Sequence, residues 1–202
     1  MTFARIALSA AAWLALLPAA GAGELAEGQP APRFFLPTYN PELSKVARFV
    51  LNDLVGAKAS QPRKVIVLSF FDIDCKPCRK ELPFLQRLHE LYGTRGLAVV
   101  AVNCDFKPDK IEAVTRYVNQ EARLSFPVCK DRFQALQRRY EVKSFPTMFI
   151  LDGKGVILKV RVGYNEQTKP FPLAELQKHL GVQVGPLEPV EGESENREGG
   201  SK

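Results

Sequence analysis

Apolar residues in this chain fall into runs of distinct period. Val65 to Phe71 (VIVLSFF) is almost continuously apolar, the pattern of a central strand covered on both faces, and Leu97 to Cys104 (LAVVAVNC) repeats it. Residues 76–92 instead carry Leu82, Leu85, Leu88, Leu91 and Tyr92 at helical spacing, and Gly93 stops them. Pro108 opens a second helix with Ile111, Val114 and Val118 on one face. SFPVC, ending at Cys129, predicts a short strand, and Asp131 is placed to cap a helix carrying Phe133, Leu136 and Tyr140. TMFIL and VILKVRVG flank Asp152-Gly153-Lys154-Gly155, residues suited to a hairpin turn. In the second of these strands Val156, Leu158, Val160 and Val162 share one face and Lys159 and Arg161 the other, which predicts an outer strand covered on one side. PLAELQKHLG makes a last helix. Strand–helix alternation followed by a hairpin and a final helix predicts an α/β domain, a mixed central sheet flanked by helices.

The N-terminal part reads less clearly. Short strands around Phe34–Leu36 and Phe49–Leu51 predict a β-hairpin extension, in competition with a helix from Pro41 to Leu54. GAKASQPRK then makes a loop. Before it all, Arg5, an apolar stretch from Ile6 to Leu17 and the small residues Ala20-Gly21-Ala22 have the plan of a secretory signal peptide over 1–22. An uncleaved anchor is the alternative. No cysteine follows the apolar stretch to take a lipid. The expectation is a domain over 23–184 working in the periplasm or otherwise outside the cytoplasm, where disulfides persist. From Gly185 the chain is rich in Gly, Glu and Pro, and a disordered tail over 185–202 is expected.

Composition adds limits. With 202 residues, 46% hydrophobic and 25% charged, the chain suits one soluble domain. The net charge of +6 could suggest an acidic partner. Its basic residues are scattered singly or in pairs such as Arg138-Arg139, which reads as a solvated surface and argues against nucleic acid.

The chemistry concentrates at Cys75-Lys76-Pro77-Cys78. A CxxC pair serves zinc sites and redox sites alike, and placement separates them. Here the pair follows a buried strand and opens a helix, so Cys75 lies near unpaired N–H groups whose partial positive charge stabilises a thiolate, with Lys76 adding a cation. Cys75 is then the attacking sulfur and Cys78, one turn in, the resolving one. Zinc would need four soft ligands, and Cys104, Cys129, His89 and His179 lack the spacing to complete them. A purely structural disulfide would close so short a loop that it removes little entropy from the unfolded chain.

The segment Phe70-Phe71-Asp72-Ile73-Asp74-Cys75-Lys76-Pro77-Cys78-Arg79-Lys80-Glu81-Leu82-Pro83 resembles the active-site segment of thioredoxin-like thiol–disulfide oxidoreductases of the TlpA/ResA type. Gly28-Gln29-Pro30-Ala31-Pro32-Arg33-Phe34 is similar to that group's Gly-x-x-Ala-Pro-x-Phe opening, and the likeness runs from about Gly28 to about Leu180. The resemblance implies a thioredoxin-like fold and reduction of protein disulfides, for example in apocytochrome c. Electrons would come from a membrane-embedded dithiol donor; no metal or other cofactor, and a monomer, are implied. It gives Glu81 the place of a glutamate that modulates the cysteines, where i, i+3 spacing from Cys78 also allows proton relay. Its alternative is an ordinary solvated helix residue. Pro83 matches a proline that kinks the active-site helix. Ser144-Phe145-Pro146-Thr147 matches the cis-proline loop, where Phe145 and Pro146 would bind a substrate strand.

Three departures stand out. Asp74 occupies the position usually held by tryptophan, with Asp72 close by, and two carboxylates disfavour a Cys75 thiolate, which suits an electron donor. Ser69 stands where thioredoxin has a buried acid, so Glu81 becomes the candidate proton carrier. Cys104 and Cys129 end two strands expected side by side, so a second, structural disulfide is expected, with two free buried thiols as the alternative. Rival readings are a peroxiredoxin-like antioxidant, which should instead place one cysteine in a Thr-x-x-Cys setting, and a copper-binding or non-catalytic module on the same fold.

Overall fold

Every residue of β3, Val65–Phe71, is buried, and this burial dictates the architecture around it. In the computed structural model, which describes residues 25–165, 167 and 170–183, β3 lies at the centre of a five-stranded sheet of order β5-β4-β3-β6-β7. β4 (Leu97–Asn103) runs parallel to it and pairs with all seven residues, while β6 (Thr147–Asp152) runs antiparallel on its other side. β5 (Val128–Lys130) and β7 (Ile157–Val162) form the edges. The predicted signal segment and tail lie outside the described residues. Among those described, no helix is long and apolar enough to cross a membrane.

Alternate β3 side chains feed two cores, as a period of two requires. Val65, Val67 and Phe71 pack with Leu82, Leu85 and Leu88 of α2 (Lys76–Tyr92), Val114 of α3 (Pro108–Arg116) and Leu176 and Leu180 of α5 (Phe171–Leu180). Ile66, Leu68 and Phe70 pack with Phe34, Phe49, Tyr140 and Phe149. In this second core Tyr140 meets Phe70 and Phe149 with ring centroids 5.1 Å apart, the tilted and edge-on contacts that aromatic quadrupoles favour.

The N-terminal hairpin exists: β1 (Phe35–Pro37) pairs antiparallel with β2 (Arg48–Val50), and the competing helix shrinks to one turn, α1 (Pro41–Ser44). Asn40, fully buried, staples this extension to the sheet edge. Its Nδ2 donates to the carbonyls of Leu124 and Phe126 at 2.7 and 2.8 Å, and its Oδ1 accepts from the Val128 N–H at 3.0 Å. Three buried backbone groups that lack strand partners are satisfied by one side chain.

Two expectations need correction. The helix after Asp131 starts later, at α4 (Ala135–Arg139), because the Gln134 backbone turns through φ +54° first. Asp131 still caps its N-terminus by accepting from the Gln137 N–H at 2.7 Å, but Phe133 is left in the preceding loop, 84% exposed. In β7 a bulge interrupts the alternation: Ile150 pairs with Lys159 and Leu151 with Ile157, so Leu158 is the extra residue. Ile157 is therefore the inward residue at that end. At the other end the alternation holds, but the strand is not covered on one side alone: Val162 is exposed and Arg161, on the opposite face, is buried.

The β6–β7 turn is held close to the chain entering β3. A Cβ on Gly153 would lie 2.6 Å from the Arg63 carbonyl oxygen, closer than backbone can tolerate. Gly153→Ala should therefore destabilise the fold by roughly 1–3 kcal/mol, read as a lower urea midpoint at unchanged m-value. An unchanged midpoint would mean the turn is not packed as described.

Candidate active site

At the C-terminal end of β3 the chain passes through Asp72-Ile73-Asp74 and enters α2, with Cys75 as the residue capping the helix. Its sulfur accepts the Cys78 N–H at 3.1 Å, so one unpaired amide of the first turn points at sulfur. Cys75 and Cys78 are joined as a disulfide with Cα atoms 5.2 Å apart. Cys75 is partly exposed and Cys78 fully buried, the asymmetry expected from their places at and inside the helix end.

The surrounding carboxylates all have work within the loop. Asp72 Oδ1 accepts the Cys75 N–H at 2.8 Å. Asp74 is paired with Lys110 of α3. Asp105, which sequence reasoning passed over, accepts from the Ile73 N–H at 2.9 Å and from Asn103 Nδ2 at 2.6 Å, tying the loop after β4 to the cysteine loop. Burial raises the Asp105 carboxyl above its ordinary range, and Asp72 and Asp74 add to the rise, while its hydrogen bonds oppose it.

Pro83 sits inside α2 and cannot donate to the Arg79 carbonyl one turn back. The Tyr117 hydroxyl takes that place at 3.4 Å, and the Arg79 guanidinium lies over the same ring, 4.8 Å from its centroid. Glu81, far from being a solvated helix residue, is 1% exposed. Ser69 Oγ donates to its Oε2, and Arg161 is ion-paired with its Oε1. The register explains the meeting: Ser69 pairs with Met148 and Met148 with Arg161, so Ser69 and Arg161 lie in one row on the sheet face that α2 covers. The positive residue in VILKVRVG was the available signal for Arg161; alternation put it on the correct face, and the expectation that this face is uncovered hid its role.

The Phe145-Pro146 peptide is cis. Pro146 is buried and its carbonyl accepts the Gly163 N–H at 2.7 Å, while Phe145 is partly exposed.

Cys104 and Cys129 are not bridged; both are free, buried thiols, which overturns the expected second disulfide. Cys129 is the register partner of Val102, so Cys104 stands two residues further along the neighbouring strand. Two residues of rise at about 3.3 Å each, across a strand spacing of about 4.8 Å, separate the Cα atoms by about 8 Å. That is beyond disulfide reach. Burial pushes both thiols well above their ordinary range, with Asp131, Asp105 and Asp72 adding to the effect at Cys104.

A reversible dithiol at the head of a helix, beside a cis-proline loop on a mixed five-stranded sheet, defines a thioredoxin-like thiol–disulfide oxidoreductase. The chain belongs to the AhpC/TSA family, whose model matches residues 28–160. It is 39% identical over 137 residues to the thioredoxin-like protein YneN of Bacillus subtilis, covering 68% of this chain and 72% of that one. With the thiol-disulfide oxidoreductase ResA of Bacillus anthracis it shares 34% identity over 140 residues, 67% of this chain and 78% of the other. A crystal structure from Chlorobium tepidum, described as a candidate thiol:disulfide interchange protein DsbE, superposes with a TM-score of 0.64 at 30% identity. That match covers 78% of this chain and 99% of that one.

The thiol inventory is directly measurable. Oxidised protein unfolded without reductant should titrate two free thiols per chain with Ellman's reagent, rising to four after reduction, and the native oxidised protein should react slowly. Finding no free thiol in the unfolded oxidised protein would restore the second bridge.

Proposed function

We propose that this protein is an extracytoplasmic reductant of protein disulfides, with Cys75 as the attacking sulfur and Cys78 as the resolving one. The observation that carries the reading is the asymmetry of the pair: Cys75 is accessible at the helix N-terminus with an amide aimed at its sulfur, and Cys78 is buried behind it. In the reduced state the Cys75 thiolate attacks a substrate disulfide and releases one substrate thiol. Cys78 then attacks Cys75, forming the internal disulfide and releasing the second thiol, so two electrons pass to the substrate. A dithiol donor in the membrane would return the pair to its reduced form.

Phe145 and Pro146 supply the bench for the substrate backbone. Among the described residues the backbone of Phe145 enters no hydrogen bond, which leaves its N–H and carbonyl for an incoming extended segment. The signal-like plan of residues 1–22 supports action outside the cytoplasm, with 23–184 as the working domain and 185–202 as a solvated tail. The 34% likeness to a thiol-disulfide oxidoreductase supports a protein disulfide as the substrate, and the resemblance of the active-site segment adds apocytochrome c as the example to test.

Cys75→Ser should abolish reduction of a model disulfide such as insulin, by at least about 100-fold. Cys78→Ser should instead trap the substrate as a mixed disulfide, recoverable from cells and identifiable by mass spectrometry. Equilibration with glutathione should give a reduction potential at or below about −200 mV. A value near that of strong thiol oxidants, about −120 mV, would reverse the proposed flow of electrons.

A further inference from the structure

Among the described residues Arg161 is the one buried cation, and it is spent on Glu81 beneath the dithiol. Its guanidinium lies over the Tyr164 ring, 5.3 Å from the centroid, and over that of Phe171 at 5.9 Å, so aromatic faces as well as the carboxylate line it. Burial lowers its pKa to about 10, which leaves it a cation at neutral pH. We propose that Arg161 is a positioning residue for the resolving half-reaction, its charge compensating a negative charge that is shared between Glu81 and Cys78. The inference rests on the reading of Cys78 as the resolver.

The charge count supplies the reason. Before resolution the Cys78 Sγ–H bond is intact and Glu81 is a carboxylate. In the step, that bond breaks and the proton passes to Glu81. The Cys78 thiolate forms its S–S bond with Cys75, and the bond from Cys75 to the substrate breaks. The electron pair leaves on the substrate sulfur, which is protonated from Glu81 through solvent. Cys78 and Glu81 together carry one negative charge on either side of the transfer, and Arg161 matches it in both states. Without Arg161 the single negative charge that Glu81 and Cys78 share is left bare in the core wherever the proton sits, and release of the Cys78 proton to solvent would leave two such charges, which burial disfavours.

Among the described residues these groups face the site. Ser69 of β3 offers a neutral hydroxyl, Arg161 and Tyr164 come from β7 and the segment after it, and α5 offers the uncharged Phe171. At the mouth stand Asp72, Lys76, and Asp74 paired with Lys110.

The test is a pH titration of the Cys78 Cβ carbon by NMR in full-length Cys75→Ser protein, with further variants added to that background. Arg161→Met should raise the Cys78 midpoint by about one pH unit or more, and Glu81→Gln should lower it. Arg161→Lys, which keeps a cation, should stay near the parent, and the double variant Glu81→Gln/Arg161→Met should fall between the two single ones. A folded Arg161→Met with an unmoved midpoint, or two single variants shifting in the same direction, would overturn the proposal. Should Arg161→Met not fold, Glu81→Gln decides alone: a midpoint that does not fall overturns it. No substrate enters this titration, so failure of the reductant reading would appear separately, as an unvaried protein inert toward disulfides whose Cys78 shifts persist.

Discussion

Burial of β3 on both faces is the constraint from which the rest follows. A seven-residue strand with no access to water must find hydrogen-bond partners along both edges, and β4 and β6 provide them. It must also be covered on both sides, by α2, α3 and α5 on one and by α4 and the N-terminal hairpin on the other. Because side chains alternate, a slip of one residue would exchange the two cores. The strand's end is thereby pinned, and with it the three-residue loop that sets Cys75 at the head of α2. The dithiol owes its position to packing several residues away.

Ser69 is the polar exception within that strand, and it lies where Glu81 comes down from α2. A buried carboxylate needs both a counter-charge and hydrogen bonds, and removing one partner of a buried ion pair commonly costs about 3–5 kcal/mol. Replacing both partners with apolar groups of similar shape is often harmless to stability. Stability alone is thus a weak reason for the Glu81–Arg161 pair to sit here. Its place one helical turn from the buried cysteine is a better one, since a compensated carboxylate can exchange a proton there without leaving a bare charge in the core.

What could be read from residues alone tracks how much chain each signal spans. β3, β4 and α2 were legible because seven to seventeen residues repeat one period. The hairpin of β1 and β2, with three residues a strand, left a helix in contention, and contacts to β5 through Asn40 decide it. Cys75, Cys78 and Glu81 were legible from spacing and resemblance, because all three sit on one helix. Arg161 was not, since its partner lies eighty residues away and alternation alone does not tell that α2 covers the face on which Arg161 stands. Cys104 and Cys129 misled for a related reason: adjacency of strands is a coarse inference, and the register that separates the two thiols is set by the whole ladder.

The carboxylates around Cys75 also look different once their partners are known. Read as bare charges, Asp72 and Asp74 would strongly oppose a thiolate at the neighbouring sulfur. Asp74, however, is largely exposed and paired with Lys110, so both solvent and a cation damp its field. Asp72 is committed to the Cys75 N–H, a bond that shapes the loop as much as it charges it. Against them stands the Cys78 amide in contact with the Cys75 sulfur. A dipole at contact distance competes well with a screened charge further off. The field at Cys75 is accordingly milder than its acidic neighbours imply. Asp74, standing where the resembling active-site segments usually carry tryptophan, puts a charged, exposed side chain beside Cys75 in place of an apolar ring.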